Sequence, residues 1–294
     1  MSAFRSGSVG LYGKPNAGKS SLFNRLLGHK LAIVSPREQT TRHLLTAVLT
    51  TAECQIAFVD SPGFQTRHRS LLNRSLNRRA GEAARDADVV AFVIEAGRFD
   101  AADREALRKL PAGRPAVAVV NKIDRVKPAS QLLPFVERVA REHAFAAIVP
   151  VSASTGRNVA ELLRVLRGLL PEGPALYPAE HLTDRDERFF AAEILREKLF
   201  RLLGEELPYH CEVRIEQLRE EGRLRRIDAT IWVDRETHKP IVVGAGGAML
   251  KRIASDARRD MERLFEGKVF LQVWVKVRRG WSDDARTLRE LGYS

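Results

Sequence analysis

The first 170 residues alternate between short apolar runs and longer segments of helix length. The apolar runs predict six strands, at residues 8–12, 43–49, 55–60, 88–94, 116–120 and 147–151. The longer segments predict helices at residues 19–27, 70–85, 101–110, 129–142 and 158–169. This alternation is typical of a doubly wound α/β sheet, in which ligands bind at the carboxyl ends of the strands.

The alternation ends at residues 170–178, where three prolines and one glycine cannot continue a helix. We therefore predict a first domain at 1–172, a linker at 173–183 and a second domain at 184–294. The second domain begins with a helix that is capped within residues 183–187 and runs to 203. The elements predicted after it are strands at 211–217 and 224–233, a strand-like run at 241–243, a helix, a strand at 269–277 and a last helix capped by Ser282.

One stretch after the first predicted strand matches the phosphate-binding pattern G-x-x-x-x-G-K-[ST]. It consists of Gly13, Lys14, Pro15, Asn16, Ala17, Gly18, Lys19 and Ser20, and Ser21 leads on into the predicted helix. Gly13 and Gly18 tolerate positive φ and close approach, so several N–H groups can converge on one anion at a helix N-terminus. We expect Lys19 to reach the β- and γ-phosphates and the Ser20 hydroxyl to bind Mg²⁺.

Two further segments supply candidate ligands for a nucleoside triphosphate. The first follows the third predicted strand and consists of Asp60, Ser61, Pro62 and Gly63. We expect the Asp60 carboxylate to hold Mg²⁺ through water and the Gly63 N–H to contact the γ-phosphate. The second is the polar segment 30–42, predicted to be a mobile loop over the phosphates. In it, Thr41 is the predicted second hydroxyl ligand of Mg²⁺ in the triphosphate state.

The sequence Asn-Lys-x-Asp follows the fifth predicted strand, with Asn121, Lys122 and Asp124 as its fixed positions. The Asp124 carboxylate can accept hydrogen bonds from N1–H and the exocyclic amine of guanine, whereas adenine lacks this donor pair. We expect Asn121 to tie this loop to the phosphate-binding stretch and Lys122 to pack on the base. The backbone N–H groups of Ser152 and Ala153, after the sixth predicted strand, are candidate donors to guanine O6.

A second glycine pattern, G-x-x-G, consists of Gly244, Ala245, Gly246 and Gly247. It is similar to the loop with which KH domains clamp single-stranded nucleic acid, although its middle positions carry no charge. The following helix offers cations that attract phosphates, including Lys251, Arg252 and Arg258. We predict an apolar groove for bases, formed by Ile241, Val243 and Ile253. Trp274 and Trp281 are candidates for base stacking, with core packing as the alternative for at least one.

The charge balance favours a polyanionic partner or an anionic membrane surface. The 294 residues include 49 Lys and Arg against 37 Asp and Glu, a net charge of +12. Residues 1–172 hold 26 basic and 15 acidic residues, and residues 173–294 hold 23 and 22, although residues 238–281 among them hold 10 and 4. Cys54 and Cys211 match no metal or redox spacing, and no apolar run has the length of a membrane span or signal peptide. We therefore expect a cytoplasmic protein.

Together these motifs resemble those of the Era family of bacterial ribosome-assembly GTPases, within the translation-factor class. The residues that carry the resemblance are 13–22, 39–43, 60–63, 121–124, 151–153, 274–281 and 288–293. The resemblance implies an α/β Ras-like P-loop GTPase domain followed by an α+β type II KH domain. It also implies binding of GTP and GDP with Mg²⁺, and a part in hydrolysis for Lys19, Thr41, Gly63 and Asn16.

The residue after Gly63 shapes the expected mechanism. Ras carries a glutamine soon after this glycine to orient the attacking water, whereas Phe64 stands here and can neither orient nor deprotonate water. We do not assign that role to Gln65, and the resemblance implies slow intrinsic hydrolysis. Relatives with asparagine at the position of Asn16 recruit K⁺, so Asn16 is a candidate K⁺ ligand.

The resemblance also implies partners. It implies binding of the 3′ end of 16S ribosomal RNA, a role in maturation of the small (30S) ribosomal subunit, and peripheral association with the inner face of the cell membrane. We expect a monomer. The basic segment after Phe64 is either a solvated helix face or a switch that touches RNA or the second domain, through Arg67, His68, Arg69, Arg74, Arg78 and Arg79.

Two alternatives remain open at this point. One is a tRNA-modifying GTPase, which shares the asparagine-bearing phosphate loop, although no cysteine near the C-terminus supports such chemistry. The other is an RNA-binding module in which the nucleotide is structural. Measured turnover of GTP separates the second alternative from a switch.

Overall fold

The structure is a computed structural model that describes residues 3–64, 70–204 and 206–293. The chain divides into two compact units. The first unit comprises Met1–Ala32, Thr41–Arg69 and Asn73–Asp184, and the second comprises Ile33–Thr40, Ser70–Leu72 and Arg185–Ser294. Residues 65–69 lie outside the described residues, and they include Gln65 and three members of the basic segment, Arg67, His68 and Arg69.

The first unit contains the doubly wound sheet that the hydrophobic pattern predicts. Its elements are β1 (Arg5–Tyr12), α1 (Lys19–Leu27), β2 (Leu45–Thr50), β3 (Cys54–Asp60), α2 (Leu71–Asp86), β4 (Val89–Glu95), α3 (Ala101–Arg108), β5 (Ala116–Asn121), α4 (Leu132–Ala140), β6 (Ala147–Pro150) and α5 (Val159–Leu169). The strand order is β2-β3-β1-β4-β5-β6. Only the β2–β3 pair is antiparallel among the pairs of this sheet.

The core of the first unit explains the continuous apolar runs. Strands β4 and β5 are buried along almost their whole length because helices cover both faces of a largely parallel sheet. Parallel strands end at the same edge of a sheet. The carboxyl ends of β1, β3 and β5 therefore bring three of the predicted motifs to one edge.

The second unit is a three-stranded sheet with helices. Its elements are α6 (Glu187–Leu202), β7 (Cys211–Glu221), β8 (Leu224–Val233), α7 (Lys239–Val243), α8 (Ala248–Leu264), β9 (Lys268–Val277) and α9 (Ala285–Glu290). The strand order is β7-β8-β9, with β7–β8 antiparallel and β8–β9 parallel. Helices α6 and α8 pack on each other and on the sheet.

Two predictions about local structure are wrong. The run at 241–243 is not strand-like but forms the end of α7, in which Pro240 lies in the first turn and Val242 is fully buried. Burial and a proline suited to a helix start outweigh the β-propensity of this short run. The cap of α9 is Asp284 rather than Ser282, since the Asp284 carboxylate accepts the N–H groups of Arg286 and Thr287, each at 3.2 Å.

Candidate functional site

The phosphate loop, residues 13–20, connects β1 to α1 in a backbone conformation that requires glycine. Gly13 has φ of 142° and Gly18, the N-cap of α1, has φ of 94°. A Cβ atom at Gly13 would overlap the Val93 carbonyl oxygen, and one at Gly18 would overlap Nδ2 of Asn121. The loop is therefore closely packed by neighbouring strands, which fixes its N–H groups at the helix N-terminus.

Lys19 lies within the curve of the phosphate loop. Its Nζ donates to the carbonyl oxygens of Gly13 (3.1 Å) and Lys14 (3.0 Å), and the side chain is buried. Burial lowers the pKa of Lys19 to about 8, and the charge of Asp60 opposes the shift. Among the described residues, the hydrogen-bond acceptors of this buried ammonium group are backbone carbonyl oxygens, so the group is suited to neutralising phosphate oxygens.

Lys14 connects the same loop to α3 through ion pairs, a role that the motif does not predict. Its Nζ contacts Oδ2 of Asp100 at 2.9 Å and Oδ2 of Asp103 at 2.5 Å. Asp103 is fully buried, and Asp100 and Asp103 form the capping box of α3. The capping pattern Asp-x-x-Asp could have indicated a helix start, but only the fold brings it to Lys14.

The three predicted metal-binding side chains converge. Oγ of Ser20 donates to Oδ2 of Asp60 at 2.7 Å and lies 2.8 Å from Oγ1 of Thr41. Asp60 is fully buried, burial raises its pKa to about 6, and its Oδ1 has no hydrogen-bond partner among the described residues. Two hydroxyls and a carboxylate with an unsatisfied oxygen fit Mg²⁺, which takes hard oxygen ligands.

The segment after β3 touches the phosphate loop directly. A Cβ atom on Gly63 would lie 2.6 Å from Cα of Pro15, so only glycine allows this approach. The Phe64 N–H donates to the Gly13 carbonyl at 3.1 Å, and the Phe64 ring is buried 6.2 Å from that of Tyr12. Phe64 therefore belongs to the core of the first unit, while Gly63 stays beside the loop that would hold the phosphates.

The base-recognition motif is cross-linked to the phosphate loop. Nδ2 of Asn121 donates to the Ala17 carbonyl at 3.0 Å, which confirms the predicted tie. Oδ1 of Asn121 accepts the Ala153 N–H at 3.1 Å, so that N–H is already engaged. Oγ of Ser152 donates to Oδ1 of Asp124 at 2.6 Å, and this bond lowers the pKa of Asp124. The exposed Asp124 is thereby oriented and kept ionised.

The remaining candidates of this site have different surroundings. Nζ of Lys122 donates to Oε2 of Glu95 at 2.9 Å, which orients its side chain. Oγ of Ser61 donates to the Leu11 carbonyl at 2.7 Å, so this hydroxyl serves the fold, and Pro62 beside it is buried. Asn16 is exposed with φ of 61°, and Ser21 is partly buried on α1.

The GxxG loop, residues 244–247, lies between α7 and α8 in the second unit. Gly244 has φ of 75°, and a Cβ atom there would lie 2.8 Å from the Met249 nitrogen. Gly246 and Gly247 have φ of 56° and 82°, and a Cβ atom at either would meet nothing within 4 Å. One glycine therefore closes the turn, while the other two, with the exposed Ala245, leave the backbone open.

The cations of α8 differ in their partners. Lys251 and Arg252 are exposed in the first two turns of α8, after the GxxG loop. Nη1 of Arg258 is 2.9 Å from Oε1 of Glu262 in a partly exposed ion pair. Ile253 is fully buried, so the predicted groove does not include it, whereas Ile241 is 55% exposed beside the loop. Helical periodicity turns Ile253 toward the core of the second unit.

The second unit also holds residues Ile33–Thr40, which precede Thr41 in the sequence. The Val34 N–H donates to Oε1 of Glu197 at 3.3 Å, and Nη2 of Arg201 donates to the Val34 carbonyl at 2.8 Å. The buried Arg196 donates to the Thr40 carbonyl. Residues of α6 therefore hold both ends of this segment, an association that the sequence does not predict.

These sites and folds define a P-loop GTP-binding domain joined to a KH domain. Residues 8–122 match the family model for a 50S ribosome-binding GTPase, and residues 206–282 match that for a KH domain. GTPase Era from Chromobacterium violaceum is 51% identical over 289 residues, covering 98% of each chain. GTPase Era from Nitrosomonas eutropha is 49% identical over 292 residues, covering 99% of each.

Two solved structures of Era also match this chain over nearly its whole length. A variant of Aquifex aeolicus Era bound to GDP and AlF4⁻ is 37% identical, with a TM-score of 0.96 over 99% of this chain and 100% of that one. Era in complex with MgGDPNP and nucleotides 1506–1542 of 16S ribosomal RNA matches at the same identity and TM-score, over 99% of each chain. The chain belongs to the Era family of GTPases, with a Ras-like domain and a KH domain as the sequence predicts.

Proposed function

We propose that the protein hydrolyses GTP as a Mg²⁺-dependent switch and binds the 3′ end of 16S ribosomal RNA during maturation of the small ribosomal subunit. The convergence of Ser20, Thr41 and Asp60 beside the phosphate loop is the observation that carries the nucleotide part. Mg²⁺ held there would neutralise the charge on the phosphates. The open GxxG loop and the cations of α8 support the RNA part, together with the RNA-bound Era relative.

Nucleotide contact residues follow from the same geometry. The proposed phosphate contacts are the N–H groups of residues 13, 14 and 16–20, the Lys19 ammonium group and the Gly63 N–H, with Ser21 and Ser61 contributing backbone N–H groups only. Pro15 and Pro62 have no N–H and are proposed to shape the two loops around the nucleotide. The oriented Asp124 would accept the two guanine donors, with Lys122 packing on the base. Since Phe64 is buried in the core, no side chain at that position positions water, which supports slow intrinsic turnover.

We propose that the segment Ile33–Thr40 couples the state of the bound nucleotide to the affinity for RNA. Thr41 is the proposed Mg²⁺ ligand, and the adjoining Thr40 is held by Arg196 of α6. A change at Thr41 on loss of the γ-phosphate would pull on a segment that belongs to the second unit. The coupling is therefore carried by covalent continuity between a metal ligand and residues bound to α6.

The test is the affinity for single-stranded RNA from the 3′ end of 16S ribosomal RNA, measured by fluorescence anisotropy. We expect a difference of about tenfold between protein loaded with GDP and with a non-hydrolysable GTP analogue, a typical allosteric coupling. Equal affinities in the GDP, GTP-analogue and nucleotide-free forms would contradict the switch. Binding of GTP without turnover, even with RNA, would favour a structural nucleotide.

Asn16 is proposed as a K⁺ ligand because its side chain is exposed in the phosphate loop. Its φ of 61° is a conformation that asparagine tolerates but alanine does not. Turnover should therefore be compared in K⁺ and Na⁺ buffers for the wild type, Asn16→Ala and Asn16→Gly. Glycine keeps the backbone unstrained, so loss of K⁺ stimulation in both variants points to the amide. Equal rates of the wild type in the two buffers would reject the site.

We place the protein in the cytoplasm as a monomer, with peripheral association with anionic membrane as a further proposal supported by the net charge of +12. In the described part of the chain, no helix has the length and apolar character needed to cross a membrane. Cosedimentation with vesicles containing anionic lipid, at low and high salt, tests the association. Light scattering after gel filtration tests the oligomeric state.

A further inference from the structure

The sheet of the second unit has an open face that carries aromatic rings. Along β9, Val269 and Val275 are buried, whereas Phe270 and Trp274 are 45% and 41% exposed. Because side chains alternate along a strand, Phe270 and Trp274 share the face opposite the buried valines. At about 3.3 Å per residue, their Cα atoms are roughly 13 Å apart. We call this surface the aromatic face.

Cations stand beside these rings. Arg226 of β8 is directly opposite Phe270, and its guanidinium carbon lies 4.8 Å from the ring centroid. Arg214 of β7 and Thr230 of β8 lie in the same row as Trp274. Phe270 and Trp274 therefore each share a row with an arginine, which places positive charge about one strand spacing or two from each of these exposed rings.

Two glutamates beside this face are paired with the same arginines, whereas the carboxylate of Asp228 lies on the face itself, in the row of Gln272. Oε2 of Glu221 is 2.9 Å from Nε of Arg226, with both side chains about half-exposed. Oε2 of Glu216 is 3.4 Å from Nε of Arg214 in a similar pair. Exposed ion pairs contribute little to stability, so a phosphate group can replace either carboxylate at small cost.

The pattern favours single-stranded nucleic acid over a protein partner. Gln272 separates the two exposed rings, so the face lacks the contiguous apolar centre of a protein–protein interface. Isolated aromatic rings flanked by arginines match surfaces on which bases stack while the cations neutralise phosphates. The amide of Gln272 can donate to and accept from base edges between the two rings.

The aromatic face adjoins the GxxG loop across a single strand. β9 is the edge strand of the sheet, and both α7 and α8 pack against it. The two helices that flank the GxxG loop therefore lie on one face of this edge strand, and Trp274 lies on its other face. We propose that the aromatic face is a second contact surface for single-stranded RNA, extending the proposed KH binding site by stacking bases on Trp274 and Phe270.

This inference rests on the proposed RNA binding through the GxxG loop, so the experiment compares two RNA lengths. One oligonucleotide has about four nucleotides, the number that a KH loop clamps. The other is about three times longer, and both come from the 3′ end of 16S ribosomal RNA. In full-length protein, Trp274→Ala should weaken binding of the longer RNA about tenfold, and the short RNA should bind as before.

Tryptophan fluorescence gives a readout that a structural role would not change. Trp232 and Trp281 are 6% and 1% exposed, so a stacked base can quench mainly Trp274. The longer RNA should quench the wild type, and Trp274→Phe should abolish that quenching while retaining most of the affinity, because a ring remains. Leu133→Ala, at a residue 66% exposed in the first unit, is the matched control and should change neither quantity.

Unchanged affinity of Trp274→Ala and Phe270→Ala for the longer RNA would overturn the proposal. It would also be overturned if these variants altered self-association or binding of a protein partner instead. Gly247→Asp tests RNA binding through the GxxG loop separately from RNA binding on the aromatic face. If this variant leaves binding of the short RNA unchanged, the KH assignment fails. The aromatic face is tested by the Trp274 variants alone. Circular dichroism and thermal unfolding check that the exposed-site variants remain folded.

Discussion

The phosphate loop and the GxxG loop are both glycine-rich, and each leads into the N-terminus of a helix, yet their surroundings differ. In the phosphate loop, a Cβ atom at Gly13, Gly18 or the adjacent Gly63 would collide with backbone or side-chain atoms. In the GxxG loop, only Gly244 is so crowded, and Gly246 and Gly247 have open space around them. The first loop is enclosed and the second is accessible.

The lysines show the same contrast. Lys19 is buried and bound to loop carbonyls, and Lys14 forms ion pairs with two aspartates of α3. Lys251, beside the GxxG loop, is exposed. A rigid cradle suits a single anion bound in one geometry, whereas an open loop suits a chain of phosphates. Both sites therefore use lysine, but the lysines of the phosphate loop have fixed protein partners, whereas the lysine beside the GxxG loop is exposed to solvent.

The largest effect is expected at Gly18. Gly18→Ala should lower affinity for GTP at least about a thousandfold, because the added methyl overlaps the Asn121 amide and alanine resists φ of 94°. The control is Gly28→Ala at the other end of α1, where φ is 74° and an added Cβ atom would meet no other group within 4 Å. That variant should lose only about 1–2 kcal/mol of stability. Binding of a fluorescent guanine nucleotide measures the affinity of both variants, and urea denaturation measures the stability of Gly28→Ala. A loss of affinity below tenfold for Gly18→Ala would refute the enclosed loop.

The next largest effect is expected at the ion pair between Lys14 of the phosphate loop and Asp103 of α3. Lys14→Met leaves the fully buried Asp103 without its cation and should lower the free energy of unfolding by about 3 kcal/mol. Urea denaturation measures this change. Lys127→Met, at an exposed lysine of the first unit, should change stability by less than about 0.5 kcal/mol. If the two variants are equally stable, Lys14 does not brace the loop.

A smaller effect is expected at the GxxG loop. Gly247→Asp adds a negative charge at a helix start with φ of 82° and should weaken RNA binding about tenfold, leaving GTP turnover unchanged. Gly222→Asp, in the hairpin turn with φ of 62° and equally open space, controls for backbone strain. Anisotropy with single-stranded RNA measures both. Equal loss in the two variants would show that strain, rather than contact, is responsible.

The smallest effect separates two cations of α8. Lys251→Ala should reduce the slope of log affinity against log salt by about 0.7, the value for one phosphate contact on a single strand. Arg258→Ala should reduce it less, because Arg258 is already paired with Glu262. A salt titration of RNA binding from low to moderate ionic strength gives both slopes. The reverse order would mean that RNA approaches α8 farther from the GxxG loop.

Much of the fold could be predicted because its signals are local. Apolar runs and helix-length segments identified the order of strands and helices in the first unit, with bounds shifted by a few residues. Local reasoning failed where neighbouring elements decide, as at residues 241–243, which join a short helix because Val242 is buried. It also placed Ile253 in a groove, whereas the helix turns that residue into the core.

The sequence by itself determined the glycine positions, the motif residues and the family, since these depend on backbone freedom and spacing along the chain. The tertiary structure alone decided which charges meet, such as Lys14 with Asp103, 89 positions apart. It also decided that Trp281 is buried while Trp274 is exposed, and that Ile33–Thr40 joins the second unit. Such contacts arise between elements distant in the chain, and no local pattern encodes their distance or direction.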